Sequence, residues 1–447
     1  MDSRIHQMPP VDSVTSSTQR PSGVDVVVVG GGIVGAATAF YLRQRGCSVM
    51  LCEKGTIAGE QSGRNLGWCR TTGRDLRELP LMLEAMEIWG QSEELLGADV
   101  GFRRNGVVYL CENEGQLAKH ANWLKSAEPL GAKARVLTSA QVADLLPMAA
   151  RAWHGAVYSE FDGCAEPQLA APAFAKAAQR AGAVISIGDA VRGIERAAGR
   201  VSAVVTEKGV VKCSAVVVAG GAWSSQFLRS LGIRFPQLSV VTSAQCTEPG
   251  DTPLTASLTG SGFTTRKRMD GGYNVLANHG EIHDITPASF RYLWDFRHLA
   301  MSDTGVKRRL SREFFRDSHW KRSWKKGQKS PFEINRTSEP TVDEANLDTG
   351  LEAAAAALPM FKGATVSHRW AGVIDVTPDA LPVISPLAAI PGLFLSSGYS
   401  GHGFGIGPAA GRLTADMVLG KAQAKELEPY RFERFADGSI RPGPAVR

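Results

Sequence analysis

The sequence predicts an α/β protein whose first domain is a Rossmann-like nucleotide fold assembled from discontinuous segments. Three observations carry this. Residues 24–54 join an apolar run, a glycine turn, an alanine-rich helix and a second apolar run in register. Strand-like runs alternate with helical periodicity through much of the chain. A second strand–glycine–helix junction, residues 393–420, stands near the far end.

The first junction is the most specific. The β-branched run Val26–Val29 leads into Gly30-x-Gly32-x-x-Gly35. Gly30 permits the tight turn, Gly32 lets backbone N–H groups approach a pyrophosphate, and Gly35 lets the helix pack closely on the strand. Ile33 and Val34 open a helix whose N-terminus offers unpaired donors and a positive dipole end. The second strand, 48–52, ends at Glu53, where a carboxylate can accept hydrogen bonds from ribose hydroxyls, followed by Lys54. A bound dinucleotide follows from strand, turn, helix, strand and acid falling in order.

The remaining elements follow along the chain. GEQSGRNLGWCR (59–70) is a glycine-rich loop, then a helix is predicted over 79–96 and a strand over 102–110. Helices follow over 141–146 and 168–180, with strands over 183–187, 190–195, 201–206 and 215–219. The last runs into Gly220-Gly221-Ala222-Trp223-Ser224. Residues 235–278 are strand-rich, with Asp270-Gly271-Gly272 as a hairpin turn. The strand 393–396 opens SGYSGHGFGIGPAAGRLTADMVLG (397–420). Two glycine-rich junctions so far apart imply one nucleotide domain built from separated pieces: 24–95, 150–230 and 365–435. Residues 96–149 and 231–364 form a second domain, including a basic helical insert over 284–335. An enzyme using NAD alone has no need of the C-terminal junction, whereas a long cofactor with a flavin ring at its far end needs something to close over that ring.

At 447 residues and 43% hydrophobic content, the chain can bury two interleaved domains. Residues 1–23, rich in Ser, Pro, Gln and Thr, read as a disordered leader rather than a signal peptide. No window reaches the length of a membrane span. Seven cysteines without C-x-x-C spacing indicate reduced, buried thiols and a cytoplasmic setting. His154 and His279 show no metal-ligand spacing, so no metal is expected. The net charge of +6 is uneven: residues 291–329 hold 12 Lys and Arg against 4 Asp and Glu, a local +8, which leaves −2 elsewhere. Trp294, Phe296, Phe314, Phe315, Trp320 and Trp324 are interleaved with that charge. The segment reads as a solvated cap on the second domain, as a peripheral membrane patch or, since aromatics among cations also suit RNA, as a nucleic-acid surface. Nucleic acid is not an expected partner, given the −2 of the rest.

The first motif, the Gly220–Ser224 run, Trp370-Ala-Gly372, Thr377-Pro378-Asp379 and Gly401-His402-Gly403 together resemble the D-amino-acid oxidase superfamily, over residues 24–435. GEQSGR (59–64), VVTEKG (204–209), VVVAGG (216–221) and SPFE (330–333) look most like the bacterial L-amino-acid deaminases of the Proteus type. The resemblance implies an FAD domain beside a substrate domain on a large mixed sheet. It implies hydride transfer from the α-carbon of an amine to flavin N5, giving an imine that hydrolyses to a 2-oxo acid and ammonia. The electron acceptor is oxygen or a respiratory chain. The FAD is expected to be non-covalent, because no cysteine lies beyond Cys246 and no histidine between His6 and His120. The cofactor residues are then Gly30, Gly32, Ile33, Val34, Gly35, Glu53 and Lys54. To these the resemblance adds Ser62, Arg64, Asn65, Leu66, Gly67, Val191, Gly220, Gly221, Trp223, Gly372, Gly401, Gly403, Phe404 and Gly405.

Three residues are assigned to the substrate side. Arg266 aligns with the deaminase arginine that grips the substrate carboxylate, work that suits a guanidinium; the alternative is a surface arginine. His402 either faces substrate or flavin, or is a turn histidine satisfied by backbone. Trp68 is a pocket wall or packs under its own loop. The chain departs from the deaminases in lacking their N-terminal anchor, in Trp68 replacing a glutamine, and in His402 replacing a tryptophan. These departures leave the substrate open between an L-amino acid, a D-amino acid and a secondary amine of the sarcosine, pipecolate or proline kind. An RNA-modifying flavoprotein is the remote alternative. The expected location is the cytoplasm, with peripheral contact to the inner membrane through residues 291–329.

Overall fold

In the computed structural model, which describes residues 7–250, 252–301, 305–315, 324 and 328–440, the nucleotide layer is a six-stranded sheet. Its strands run in the order Val383–Pro386, Leu393–Ser397, Ala215–Val218, Val26–Val29, Val49–Glu53 and Val184–Ile187. The last five are parallel neighbours; only Val383–Pro386 is antiparallel to the next strand. A parallel sheet is covered on both faces, which is why these strands read as unbroken apolar runs. One face packs on the helices Ile33–Gln44, Pro167–Arg180 and Gly403–Val418. The other packs on a three-stranded sheet, Val191–Ala197, Arg200–Thr206 and Gly209–Lys212.

The two glycine junctions meet in space. The helices that follow them are packed so tightly that a Cβ at Gly411 would fall 2.5 Å from Ala37 Cβ, and one at Gly407 2.9 Å from Ile33. The small residues of both helices are a packing seam that joins the ends of the chain.

The second domain is a ten-stranded mixed sheet. At its centre Leu238–Thr247 pairs antiparallel with Val366–Val376 through nearly its whole length. Two expected boundaries are therefore corrected. Gly155–Ser159 belongs to this sheet, paired with Val107–Cys111 and Arg135–Thr138, and so does Val366–Val376; both had been expected in the nucleotide domain. The turn after Val376 carries the chain back across to that domain.

Smaller departures have local causes. The helix expected over 79–96 breaks at Gln91 into Leu79–Gly90 and Ser92–Leu96. The strand expected from 102 starts at Val107, because Gly101 and Gly106 take positive φ, +69° and +81°. The hairpin at Asp270–Gly272 joins Phe263–Lys267 to Tyr273–Ala277 as expected. The insert is not wholly helical: after the short helices Pro287–Arg291 and Arg297–Met301, the strand Lys307–Leu310 pairs parallel with Ile282–Ile285 at the sheet edge.

The expectation of a disordered leader is also corrected over its described part. Residues 7–23 run as an extended strap along the nucleotide domain. Ser17 N–H donates to Ile185 O at 2.7 Å, and Asp12 N–H to Gln168 O at 3.0 Å. Arg20 makes a 2.6 Å ion pair with the buried Asp189. Val11 and Val14 pack against the main core.

Candidate active site

A long cleft begins at the carboxyl ends of Val26–Val29 and Val49–Glu53 and extends to the N-terminus of the helix Gly403–Val418. Its lining runs from Val29, Glu53 and Val191 at one end, past a glycine-rich middle, to Tyr399, Gly401 and Phe404 at the other. A ligand of more than one part is the natural occupant.

The geometry at Gly30 and Gly35 explains the glycines. Gly30 sits at φ +112°, and a Cβ there would lie 2.4 Å from Ala219 O; a Cβ at Gly35 would lie 2.0 Å from Gly30 O. Any side chain at either position would push the helix off the strand and close the turn. Ser62 then takes the Ile33 N–H at 2.9 Å, at the first turn of that helix. Glu53 accepts the Gly31 N–H on Oε2 and the Gly55 N–H on Oε1, each at 2.7 Å. Burial pushes its carboxyl up, against these two donors.

Beyond Glu53 the cleft is apolar. Val191, Trp223, Phe227 and Phe332 line it there. Lys54 Nζ lies 4.1 Å above the Trp223 ring, and Trp223 Nε1 donates to Glu60 at 3.2 Å. At the opposite end the lining is Asn65, Val373, Asp375, Ser397, Tyr399, Gly401 and Phe404. Asp375 Oδ2 accepts from Gly398 N–H at 2.8 Å and Gln237 Nε2 at 2.9 Å, and burial raises its carboxyl.

Two atoms test whether a dinucleotide fits. Gln61 Oε1 and Ser224 Oγ are buried without any partner in the protein, and both residues line the cleft. Buried polar atoms are normally satisfied, so a polar ligand along the cleft accounts for both. An apolar end, a glycine-lined middle and a mixed-polarity far end match adenine, pyrophosphate and flavin in turn.

Of the expected cofactor residues, Gly30, Gly32, Ile33, Val34, Glu53, Lys54, Ser62, Asn65, Val191, Gly220, Gly221, Trp223, Gly401, Gly403 and Phe404 line the cleft. The other six stand behind it and shape it. Gly35 is the close-packing contact. Arg64 is spent on Glu339, Ala371 O and Gly59 O. Leu66 O and Gly67 back onto Arg266. A Cβ at Gly372 would strike Gln61 Oε1 at 2.2 Å, and Gly405 O accepts Trp89 Nε1 at 2.7 Å.

The substrate-side expectations fare differently. Arg266 is fully buried and grips Glu166 with both terminal nitrogens, at 2.7 and 2.8 Å, while its Nε donates to Leu66 O. It does not line the cleft, and in this structure both its terminal nitrogens face Glu166 in an internal ion pair. Glu166 carried no sequence signal linking it to a residue 100 positions away. His402 is the N-cap of Gly403–Val418, and its Nδ1 stands 3.2 Å from Glu78 Oε2. Burial lowers its imidazole, and Arg74 adds to that effect. Trp68 is partly exposed, edge-on to Tyr109 at 6.2 Å. Sequence reasoning missed Gln61, Phe332, Asp375 and Tyr399 as lining residues, although GEQSGR contains Gln61, SPFE contains Phe332 and the 397–420 junction contains Tyr399.

A nucleotide cleft running from a parallel sheet to a second sheet domain defines a two-domain, dinucleotide-dependent oxidoreductase. Residues 25–417 match the family described as DAO, FAD dependent oxidoreductase, and the chain belongs to that family. FAD is its cofactor, and amino acids and amines are the substrates of the class. The chain is 32% identical to the L-amino acid deaminase of Proteus myxofaciens solved in complex with anthranilate, covering 97% of each chain at a TM-score of 0.92. The L-amino acid deaminase of Proteus vulgaris is 31% identical, covering 95% of this chain and 100% of that one at a TM-score of 0.90. The β subunit of sarcosine oxidase from Arthrobacter sp is 26% identical over 424 residues, 93% of this chain and 92% of the relative.

Proposed function

We propose that the protein oxidatively deaminates an α-amino acid of L configuration, yielding a 2-oxo acid and ammonia. The observation that supports this most is the end-to-end likeness to the Proteus deaminases, which spans both domains. FAD, when bound, supplies the acceptor for the hydride that leaves the substrate α-carbon. The chain's own residues do the rest. Gly30, Gly32 and Ser62 hold the phosphates, Glu53 the ribose, and Val191, Phe227 and Phe332 the adenine. Asn65, Tyr399, Gly401 and Phe404 seat the ring and narrow the space for water around it. The amine must shed its ammonium proton before its α-carbon gives up hydride. Solvent, or a neutral His402 between the lining residues Gly401 and Gly403, would take that proton. The imine leaves for water, which hydrolyses it.

A secondary amine is the second reading, favoured by the likeness to a sarcosine oxidase subunit. A panel of both amino-acid enantiomers with N-methyl and cyclic amines, scored by loss of flavin colour without oxygen, separates the two whatever the electron acceptor. L-Amino acids should bleach the flavin. Bleaching by N-methyl or cyclic amines, or by D-amino acids, with none by L-amino acids overturns the proposal.

Among the described residues no helix is long and apolar enough to cross a membrane. We place the protein in the cytoplasm, with the insert touching an anionic membrane surface. Phe290, Leu293, Trp294, Leu310 and Phe315 are all exposed on the insert beside its cations, which supports that reading.

A further inference from the structure

At its Glu53 end the cleft is walled by a segment that follows the basic insert in sequence yet lies on the nucleotide domain. Phe332, on the short helix Pro331–Ile334, lines the cleft. Its ring meets those of Trp223, Phe227 and Trp324 at 5.9, 6.0 and 5.4 Å. The chain then runs without regular structure from Asn335 to Asp343. A Cβ at Gly55 would fall 2.7 Å from Arg336 O. The segment therefore presses on the loop 54–60, whose Lys54, Thr56 and Glu60 line the cleft.

Charge fastens it there. Arg192, next to the lining residue Val191, donates to Glu333 at 2.6 and 3.1 Å. Arg336 grips Glu207 with both terminal nitrogens, at 2.8 and 2.7 Å, and also donates to Lys54 O at 2.7 Å. In return Lys54 Nζ donates to Asn335 O at 3.0 Å and to Arg336 O at 2.7 Å. Ser338 N–H donates to Glu60 at 3.1 Å. Burial opposes the charge on Glu333, yet Arg192 and the Ser330 N–H and hydroxyl bring its carboxyl down to about 2. Apolar anchoring is confined to one stretch: Phe332 is buried, whereas Ile334 is exposed. The side chains of Arg336 and Glu339 reach solvent. Ion pairs that reach solvent part at less cost than a packed core, and salt screens them.

We propose that residues 330–339 form an ion-paired clamp over the adenine end of the cleft, and that its opening governs how fast FAD leaves. The assignment rests on the adenine reading of that end given above, and two independent measurements tell them apart. Release is timed as flavin passing into the filtrate after dilution of the FAD-loaded protein, beside the melting point of the stripped protein. Glu333→Gln with Arg336→Gln should speed release on the order of tenfold, while the stripped protein melts close to the wild type. Raised salt should speed release from the wild type and much less from the double variant. ADP carries the adenine half without the flavin. It should bind the stripped wild type and bind Phe332→Ala more weakly, whereas FMN should not distinguish the two. Release from the double variant within about twofold of wild type, with ADP still dependent on Phe332, overturns the clamp and leaves the adenine reading standing. ADP that fails to bind, or binds Phe332→Ala as well as the wild type, overturns both. Should the stripped double variant melt far below the wild type, the salt series decides: wild-type release that salt leaves unchanged overturns the clamp.

Discussion

Arg266 and Glu166 share a site with almost no water, and each is there because of the other. Burial alone would raise the Glu166 carboxyl, but the facing guanidinium holds it below the usual carboxylate range. The same carboxylate also accepts the Met269 N–H at 2.7 Å, so the pair ties the start of the helix Pro167–Arg180 to the strand Phe263–Lys267 and the turn after it. Arg266→Ala leaves a buried, uncompensated charge, a change that costs about 3–5 kcal/mol. The expected outcome is a clear drop in thermal midpoint, with little change in substrate KM for the protein that stays folded. A variant that melts with the wild type but loses substrate binding would return Arg266 to the active site. The pH dependence has a definite sign. Because the folded carboxyl titrates below its unfolded value of about 4.3, its contribution is fully present above that pH. It is lost as the pH falls through the folded value. An acid titration of stability should therefore lose part of its slope in Glu166→Gln.

At the scale of elements, the strap of residues 7–23 and the basic insert are the segments whose local composition is least informative. The strap is polar, yet its Ser17 N–H donates to Ile185 O and its Ser16 and Ser17 hydroxyls accept the Ile187 and Ile185 N–H groups, so it covers an open strand edge. The insert divides its aromatics between two jobs. Phe296 is buried and Trp324 packs edge-on to Phe332 at 5.4 Å, while Trp294 and Phe315 are exposed. Phe314 is half-buried against Phe315, and Trp320 lies outside the described residues. The first group is packed inside, and the second lies at the surface, with Arg297 over the Trp294 ring. Each cation near an anionic bilayer contributes about 1 kcal/mol, within a Debye length of about 8–10 Å. In liposome flotation the protein should rise with anionic vesicles at low salt and not with neutral ones. Trp294→Ser with Phe290→Ser should reduce that binding. No flotation with either vesicle type removes the membrane reading.

For the whole molecule, the interleaved chain makes FAD a structural member as well as a reactant. The cleft is walled by residues from near both ends of the sequence, Gly30 and Phe404 among them, so a cofactor bound there would bridge segments that the backbone keeps apart. Cys52 is the cysteine that lines the cleft, at the Glu53 end, where burial pushes its thiol far up and leaves it unreactive. All seven cysteines are free thiols. Acid precipitation should accordingly release all yellow colour into the supernatant. Colour kept in the pellet would mean a covalent link. Added FAD should raise the melting point of the stripped protein in proportion to the logarithm of its concentration.

What the residues reveal by themselves is whatever depends on near neighbours in the chain. The turn at Gly30, the helix after it, Glu53 at the strand end and the glycine seam of the last helix follow from local sterics and from periodicity. The parallel sheet and the glycine-lined part of the cleft were therefore legible. So was the aromatic-rich character of the insert. The fate of individual charges was not. The partner of Arg266 shows only once Glu166 is folded against it, and that of Arg64 only once Glu339 is brought beside it. The strap and the strands Gly155–Ser159 and Val366–Val376 likewise took their places through pairings with distant residues. A charge is free or spent according to the groups around it, and a strand joins the sheet whose edge it meets. Both are settled only when the chain has closed on itself.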